Sequence, residues 1–278
     1  MYVLEIIKKS LKYPISNWNK LLTVGFIFFL MSFIPSLPLY LNNNHIIGTV
    51  GTFVVFFLSF ILLGYFLSVV SCTVKGDDDF PKFNSFQNIY DGLKTWVVSI
   101  VYFAIPAFLV LIISSLNGVY NEFNIIFTAL ANSGTLTNPG FSINGSITAV
   151  MGNFTKTLPP DLLGNVWTIL ALTGVIAIIL FILFSLFYYV ALARMAEHET
   201  LYSALNIKSV IDTLGDIGWS KYITWYVLVL IITSFIGLIH SLITTFIPYV
   251  GWYIGTFILT PFALLFLFRS IGLIYNEA

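Results

Sequence analysis

Four places in this sequence carry side chains able to do chemistry. The first is KGDDDFPKF, Lys75–Phe83, where Asp77, Asp78 and Asp79 supply a quarter of the 12 acidic residues. Adjacent residues on a helix point apart, so the run cannot converge on a cation there. In a turn it lacks the alternating D-x-D-x-D oxygens and the distant Glu of a calcium loop. The simpler expectation is a solvated junction. Gly76 stops a helix, the Asp run keeps the backbone in water, Pro81 redirects the chain, and Asn84 or Ser85 caps the next helix.

The second place is Glu197, His198 and Glu199. Helical metal sites need ligands at i, i+3 or i+4, and no second His follows, so a solvated helix end is expected. The third is His240 in IGLIHSLITT, an ionisable residue well inside an apolar run. Intramembrane ionisable groups default to a functional reading, here a proton- or ligand-linked role. Against it, neutral His can pack and hydrogen-bond, with Ser241, Thr244 and Thr245 close by. The fourth is Arg194 and Arg269, each near the end of an apolar run. Both are expected to snorkel to lipid headgroups.

Other chemistry is missing. The chain has no Walker motif, no G-x-S-x-G and no H-E-x-x-H. Cys72 is the single cysteine, which rules out an internal disulfide or a Cys-based metal cluster. No catalytic residue, no cofactor and no metal site is expected. With 12 Lys+Arg against 12 Asp+Glu, nothing points to a nucleic-acid partner.

The elements that would hold these residues are membrane helices. Only 9% of the 278 residues are charged and 58% are hydrophobic, and mean hydropathy is +0.95. Soluble domains are about one quarter charged. A span needs about 20 mostly apolar residues. Six runs qualify: Leu21–Leu41, Ile46–Val74, Trp96–Leu116, Val166–Ala193, Tyr222–Ile247 and Val250–Tyr275. Pro248–Gly251, PYVG, reads as a tight turn between the last two. The start, MYVLEIIKKSLKYP, does not resemble a cleavable signal peptide, because Lys8, Lys9 and Lys12 interrupt its apolar run.

Six spans place 11 of the 12 Lys and Arg on one side and Lys156 alone on the other. The positive-inside rule makes the rich side cytoplasmic, with both termini there, in the cytoplasmic (plasma) membrane. Three stretches on that side, 1–20, 83–94 and 201–220, have helical apolar stripes too short to cross and are expected to lie in the interface. Their apolar residues are Val3, Leu4, Ile7 and Leu11; then Phe83, Phe86, Tyr90 and Leu93; then Ile207, Val210, Ile211, Leu214 and Ile217. Each leads into a span through Lys with Trp or Tyr nearby: WNKLL, GLKTW, WSKYI. This likeness supports three copies of one unit, with hairpins over 21–74, 96–193 and 222–275. Shared interface chemistry would produce the same likeness. The second hairpin carries a long outer segment, 117–165, with a short helix expected at EFNIIFTALANSG and another at ITAVMGNFTKTL. Asn144 and Asn153 there match the glycosylation sequon. The expected fold is therefore all-α: a single polytopic bundle of about six transmembrane helices with interfacial amphipathic helices.

The stretch GYFLSVV…KGDDDFPKFNSFQNIYDGLK resembles a prokaryotic family of multi-pass membrane proteins, domain of unknown function 4013. The resemblance rests on Asp77, Asp78, Asp79, Phe80, Pro81, Asp91 and Gly92, with Phe80 where Leu would be expected. It implies a polytopic fold and assigns no activity. The first functional reading is a non-enzymatic protein that organises or assists partners at the membrane, its neighbours being lipids and either protein partners or further copies of itself. The rival is a small-molecule or ion permease with His240 in the pathway. A lipid-modifying membrane enzyme is the third reading.

Overall fold

The computed structural model describes residues 2–40, 45–132, 160–247 and 250–278. Its elements are helices: α1 (Val3–Ser16), α2 (Trp18–Phe33), a 3-10 turn (Ile34–Ser36), α3 (Leu37–Tyr40), α4 (His45–Val74), α5 (Ser85–Leu116), α6 (Val119–Asn132), α7 (Pro160–His198), α8 (Leu201–Leu205), α9 (Ile207–Ile217), α10 (Trp219–Phe246), α11 (Val250–Ile254), a π-helical segment (Gly255–Leu259) and α12 (Thr260–Tyr275). Six stretches among the described residues are long and apolar enough to cross a membrane: Trp18–Ser36, His45–Val74, Ser85–Leu116, Gly164–His198, Trp219–Phe246 and Val250–Tyr275. The all-α polytopic bundle stands.

The helices differ from the sequence reading mainly in where they begin and what they cover. The stretch 83–94 is not a separate interfacial helix, because α5 runs unbroken from Ser85 to Leu116. Asn84 caps it, its Oδ1 accepting from the Gln87 N–H at 3.4 Å, and no proline follows before Pro106. At 32 residues α5 is about 48 Å long, well beyond the roughly 30 Å of hydrocarbon. Its length therefore exceeds what a span needs, and residues 85–94 are continuous with the span rather than a separate helix. The stretch expected at 201–220 is two short helices, α8 and α9, split at Asn206, whose side chain caps α9.

The apolar stripes also sit at a different phase. On α1, Ile6, Ile7, Ser10, Tyr13 and Pro14 are buried while Leu4 is 72% exposed. The helix presents this face to α12 and α10, so protein rather than lipid covers it. On α9, Val210, Leu214 and Ile217 are buried, whereas Ile207 and Ile211 are exposed. On α5, Phe86, Tyr90 and Leu93 face outward, while Asn88 is 1% exposed.

Contacts divide the chain into two compact units, Met1–Val101 with Leu186–Ala278, and Tyr102–Ser185. In the first unit α12 is central, packing on α1, α2, α4 and α10. Small residues let backbones approach, as is usual where helices pack in lipid. Gly64 of α4 lies against the backbone of Asn88, and Gly92 of α5 lies against the backbone of Phe60. Gly25 of α2 faces the Phe257 carbonyl in the π segment. There Thr260 directs both its N–H and its Oγ1 to the Gly255 carbonyl, the five-residue spacing of a π turn. In the second unit Asn117 Nδ2 donates to Thr173 Oγ1 at 3.4 Å, and Phe103 stacks on Phe181. The helix expected in EFNIIFTALANSG is present within α6. The second outer helix, Asn144, Asn153 and the first half of the PYVG turn lie outside the described residues.

Candidate functional site

The polar chemistry of the first unit gathers at the helix ends that carry the Lys and Arg residues. Arg269, expected to snorkel, does not reach out to lipid. Its side chain is 5% exposed. Nη1 donates to Thr73 Oγ1 at 3.1 Å and to the Asp77 carbonyl at 2.7 Å, and Nη2 pairs with the Asp78 carboxylate. The guanidinium also lies over the Tyr13 ring, 4.9 Å from its centroid. The planar fork is what permits three acceptors and a ring face at once, which an ammonium could not match. The physical reason for the correction is proximity: α1 and the 75–84 turn fold over the end of α12, so bound acceptors replace lipid phosphates. Burial raises the pKa of the Tyr13 phenol, so it stays protonated. Phe80, the departure from the family pattern, stacks on Tyr13 with ring centroids 4.1 Å apart.

The Asp run is thus partly structural. Asp78 is 92% exposed yet holds Arg269. Asp77 Oδ1 accepts from the Asp79 N–H at 2.9 Å, shaping the turn. Arg194 is likewise turned inward. It donates to the Ser203 carbonyl at 3.3 Å and to Thr213 Oγ1 at 2.7 Å, pinning α8 and α9 to the end of α7. In the Glu197–Glu199 cluster, Glu197 accepts from the Tyr275 hydroxyl, and His198 Nδ1 lies 3.2 Å from Glu197. Lys75 pairs with Glu199 at 2.8 Å, and Lys221 pairs with Glu277. The hydrogen bond from Lys75 holds the Glu199 carboxyl below its usual range.

These ties join the start of each odd-numbered span to the end of an even-numbered one. Lys20 Nζ reaches the Pro81 carbonyl, Lys94 Nζ reaches the Glu199 carbonyl, and Lys221 reaches Glu277. That is the connectivity of a chain crossing six times.

Beside this hub is a pocket of about 670 Å³. Ser68, Ser71 and Cys72 of α4, Gln87, Tyr90, Asp91 and Lys94 of α5, and Met195 with Glu199 at the end of α7 line it. Lys94 and Asp91 form its inner pair, 3.1 Å apart and 17% exposed each. Gln87 Nε2 donates to the second Asp91 oxygen at 2.8 Å, and the Lys94 ammonium sits 4.3 Å from the Tyr90 ring centroid. Sequence reasoning missed this pocket. Its residues come from three helices, and only the i, i+3 spacing of Asp91 and Lys94 hinted at a pair.

His240 lines a different cavity, of about 320 Å³, with Gly237, Ser241, Thr244, Thr245 and Trp252. Its ring lies 5.6 Å from Trp252 and directly against Gly255 at the start of the π segment. Thr244 and Thr245 spend their hydroxyl protons on carbonyls one turn back, Thr244 on that of His240 itself. Among the described residues, His240 Nε2 is buried with no hydrogen-bond partner. The two cavities share no lining residue.

Six apolar spans fastened through hydrogen bonds at one set of ends define a multi-pass α-helical membrane protein. The chain belongs to the family described as protein of unknown function DUF4013, which matches residues 47–248. No curated protein and no solved structure matches the chain. The matched region includes the Lys94 pocket and His240 but not α1 or α12, so Arg269 and Tyr13 lie outside it.

Proposed function

We propose that this protein is a non-enzymatic accessory component of the cytoplasmic membrane, organising partners from its basic, cytoplasm-facing end. One observation carries this reading. Lys20, Lys94, Arg194, Lys221 and Arg269 each tie helix ends together, and none of the five lines the His240 cavity. Secondary transporters place charged or unwound coordinating elements near the midplane. Here the polar hub sits at the helix ends, and the His240 cavity has no lining residue in common with the pocket there. Orientation follows from the positive-inside rule and the 11-to-1 split of Lys and Arg.

The second reading, a permease, rests on His240 Nε2, buried beside a cavity without a hydrogen-bond partner among the described residues. The two separate in proteoliposomes loaded with a pH-sensitive dye. The accessory reading expects no protein-dependent proton or ion flux between about pH 5 and 8. It also expects His240→Gln to cost on the order of 1 kcal/mol of stability. A pH-dependent flux that His240→Gln abolishes while the fold survives would replace it with the permease.

A further inference from the structure

We propose that the Lys94 pocket binds a phospholipid with a zwitterionic headgroup, phosphoethanolamine in chemical class, with the acyl chains lying along α5. Its volume of about 670 Å³ is within the range of small-molecule sites. The argument begins with charge. The pocket and its rim hold two ammonium groups, Lys94 and Lys75, and two carboxylates, Asp91 and Glu199. A purely anionic ligand would meet the carboxylates, and a purely cationic one would meet the lysines. A ligand carrying both charges satisfies both sets.

Hydrogen-bond capacity agrees. Lys94 Nζ has three donors and uses two, on Asp91 Oδ1 and the Glu199 carbonyl, leaving one for a phosphate oxygen. Each Asp91 oxygen accepts one protein hydrogen bond and keeps a lone pair for a primary ammonium. The Ser71 hydroxyl proton goes to the Ala196 carbonyl, which leaves its oxygen free to accept. The walls below are apolar, from Leu67 and Met195. Leu93 and Trp96, on either side of Lys94, are exposed apolar surface of a transmembrane helix. A soluble zwitterion would use the polar rim alone. A lipid uses the rim, the apolar wall and the adjoining helix face, and the pocket lies where headgroups do, at the Lys-rich ends of the spans.

Cys72 makes the test direct. It is the single cysteine and it lines the pocket, so its rate of modification by a water-soluble methanethiosulfonate reports occupancy of the unmodified protein. The protein is placed in nanodiscs of phosphatidylcholine, of phosphatidylglycerol, or of phosphatidylcholine mixed with phosphatidylethanolamine. Phosphatidylcholine carries a quaternary ammonium that cannot donate to Asp91, and phosphatidylglycerol carries no ammonium. Phosphatidylethanolamine is expected to slow modification by about tenfold, the scale of one charge-assisted hydrogen bond. Lys94→Gln should remove that protection, and Lys208→Gln, on the exposed side of α9, should keep it. Equal rates in all three discs overturn the proposal, as does full protection in Lys94→Gln. Soluble glycerophosphoethanolamine added to phosphatidylcholine discs should not protect; if it protects as well as the lipid, the ligand is a free zwitterion and the lipid assignment fails. Native mass spectrometry of the wild-type protein needs no variant. It should show phosphatidylethanolamine retained over the other two lipids, and indiscriminate retention overturns the assignment.

Discussion

Arg269 shows how one side chain can be misread when only its place along a span is known. Near a helix end, an Arg has two outlets: lipid phosphate or protein acceptors. Hydropathy does not distinguish them, because the acceptors come from residues 191 and more positions away. The structure makes the two partners of this ion pair unequal. Arg269 is buried, and removing it leaves the Asp77 carbonyl and a packed Tyr13 ring without their donor. Asp78 is almost fully exposed, and its loss is screened by water. Arg269→Gln should therefore destabilise the folded protein by about 2–4 kcal/mol. Asp78→Asn should cost less than about 1 kcal/mol. Arg269→Lys should fall between, because the charge survives and the fork does not. Thermal unfolding in detergent, followed by circular dichroism, checks the order. Equal losses for Arg269→Gln and Asp78→Asn would contradict the geometry.

Among the elements, the reciprocal contact of α4 and α5 gives the clearest case. Gly64 and Gly92 each abut the other helix's backbone, so a methyl group at either must push the helices apart. Gly92→Ala should destabilise by about 1–3 kcal/mol through overpacking. On α9, a methyl group placed on Gly215 would meet open space, with no atom within 4 Å. Gly215→Ala should instead stabilise, by up to about 1 kcal/mol through helix propensity. The same unfolding measurement reads both, and the opposite signs are the expected result. The six spans are legible in the sequence because a long apolar run is a property of composition. Their surroundings are not. An apolar stripe states that something apolar covers it, not whether that is lipid or α12, which is why the stripe of α1 reads one position off at Leu4. Gly92 reads locally as a place to end a helix, yet it sits inside α5 because α4 needs the space. The Lys94 pocket and the hub around Arg269 depend on pairs far apart in sequence, and one sequence carries no signal for such pairs.

For the molecule as a whole, the testable quantity is sidedness. The structure puts the 75–84 turn, α8, α9 and the segment after Tyr275 at one set of helix ends, joined by hydrogen bonds, with α1 brought there by the Tyr13 ring against Phe80 and Arg269. Which compartment those ends face follows from charge alone. In a Cys72→Ser background, a cysteine at Ser85 should be shielded from a membrane-impermeant maleimide added to intact cells. One at Thr128, exposed on α6, should react. The reverse pattern would invert the protein in the membrane and place the Lys94 pocket in the opposite leaflet.

The position of Arg269 in the chain has a consequence for biogenesis. A ribosome delivers α12 after the five spans that precede it. Until then the buried face of α1 lacks its main cover, α12, and the Asp77 carbonyl and Tyr13 ring have no guanidinium to receive. The first five spans can enter the membrane, but they cannot close their own headgroup-side seam. A nascent chain that stalls or is cut before residue 269 therefore displays an apolar helix and unpaired polar groups at the membrane surface, where quality-control proteases work. Delivery of α12 and concealment of that surface are one event.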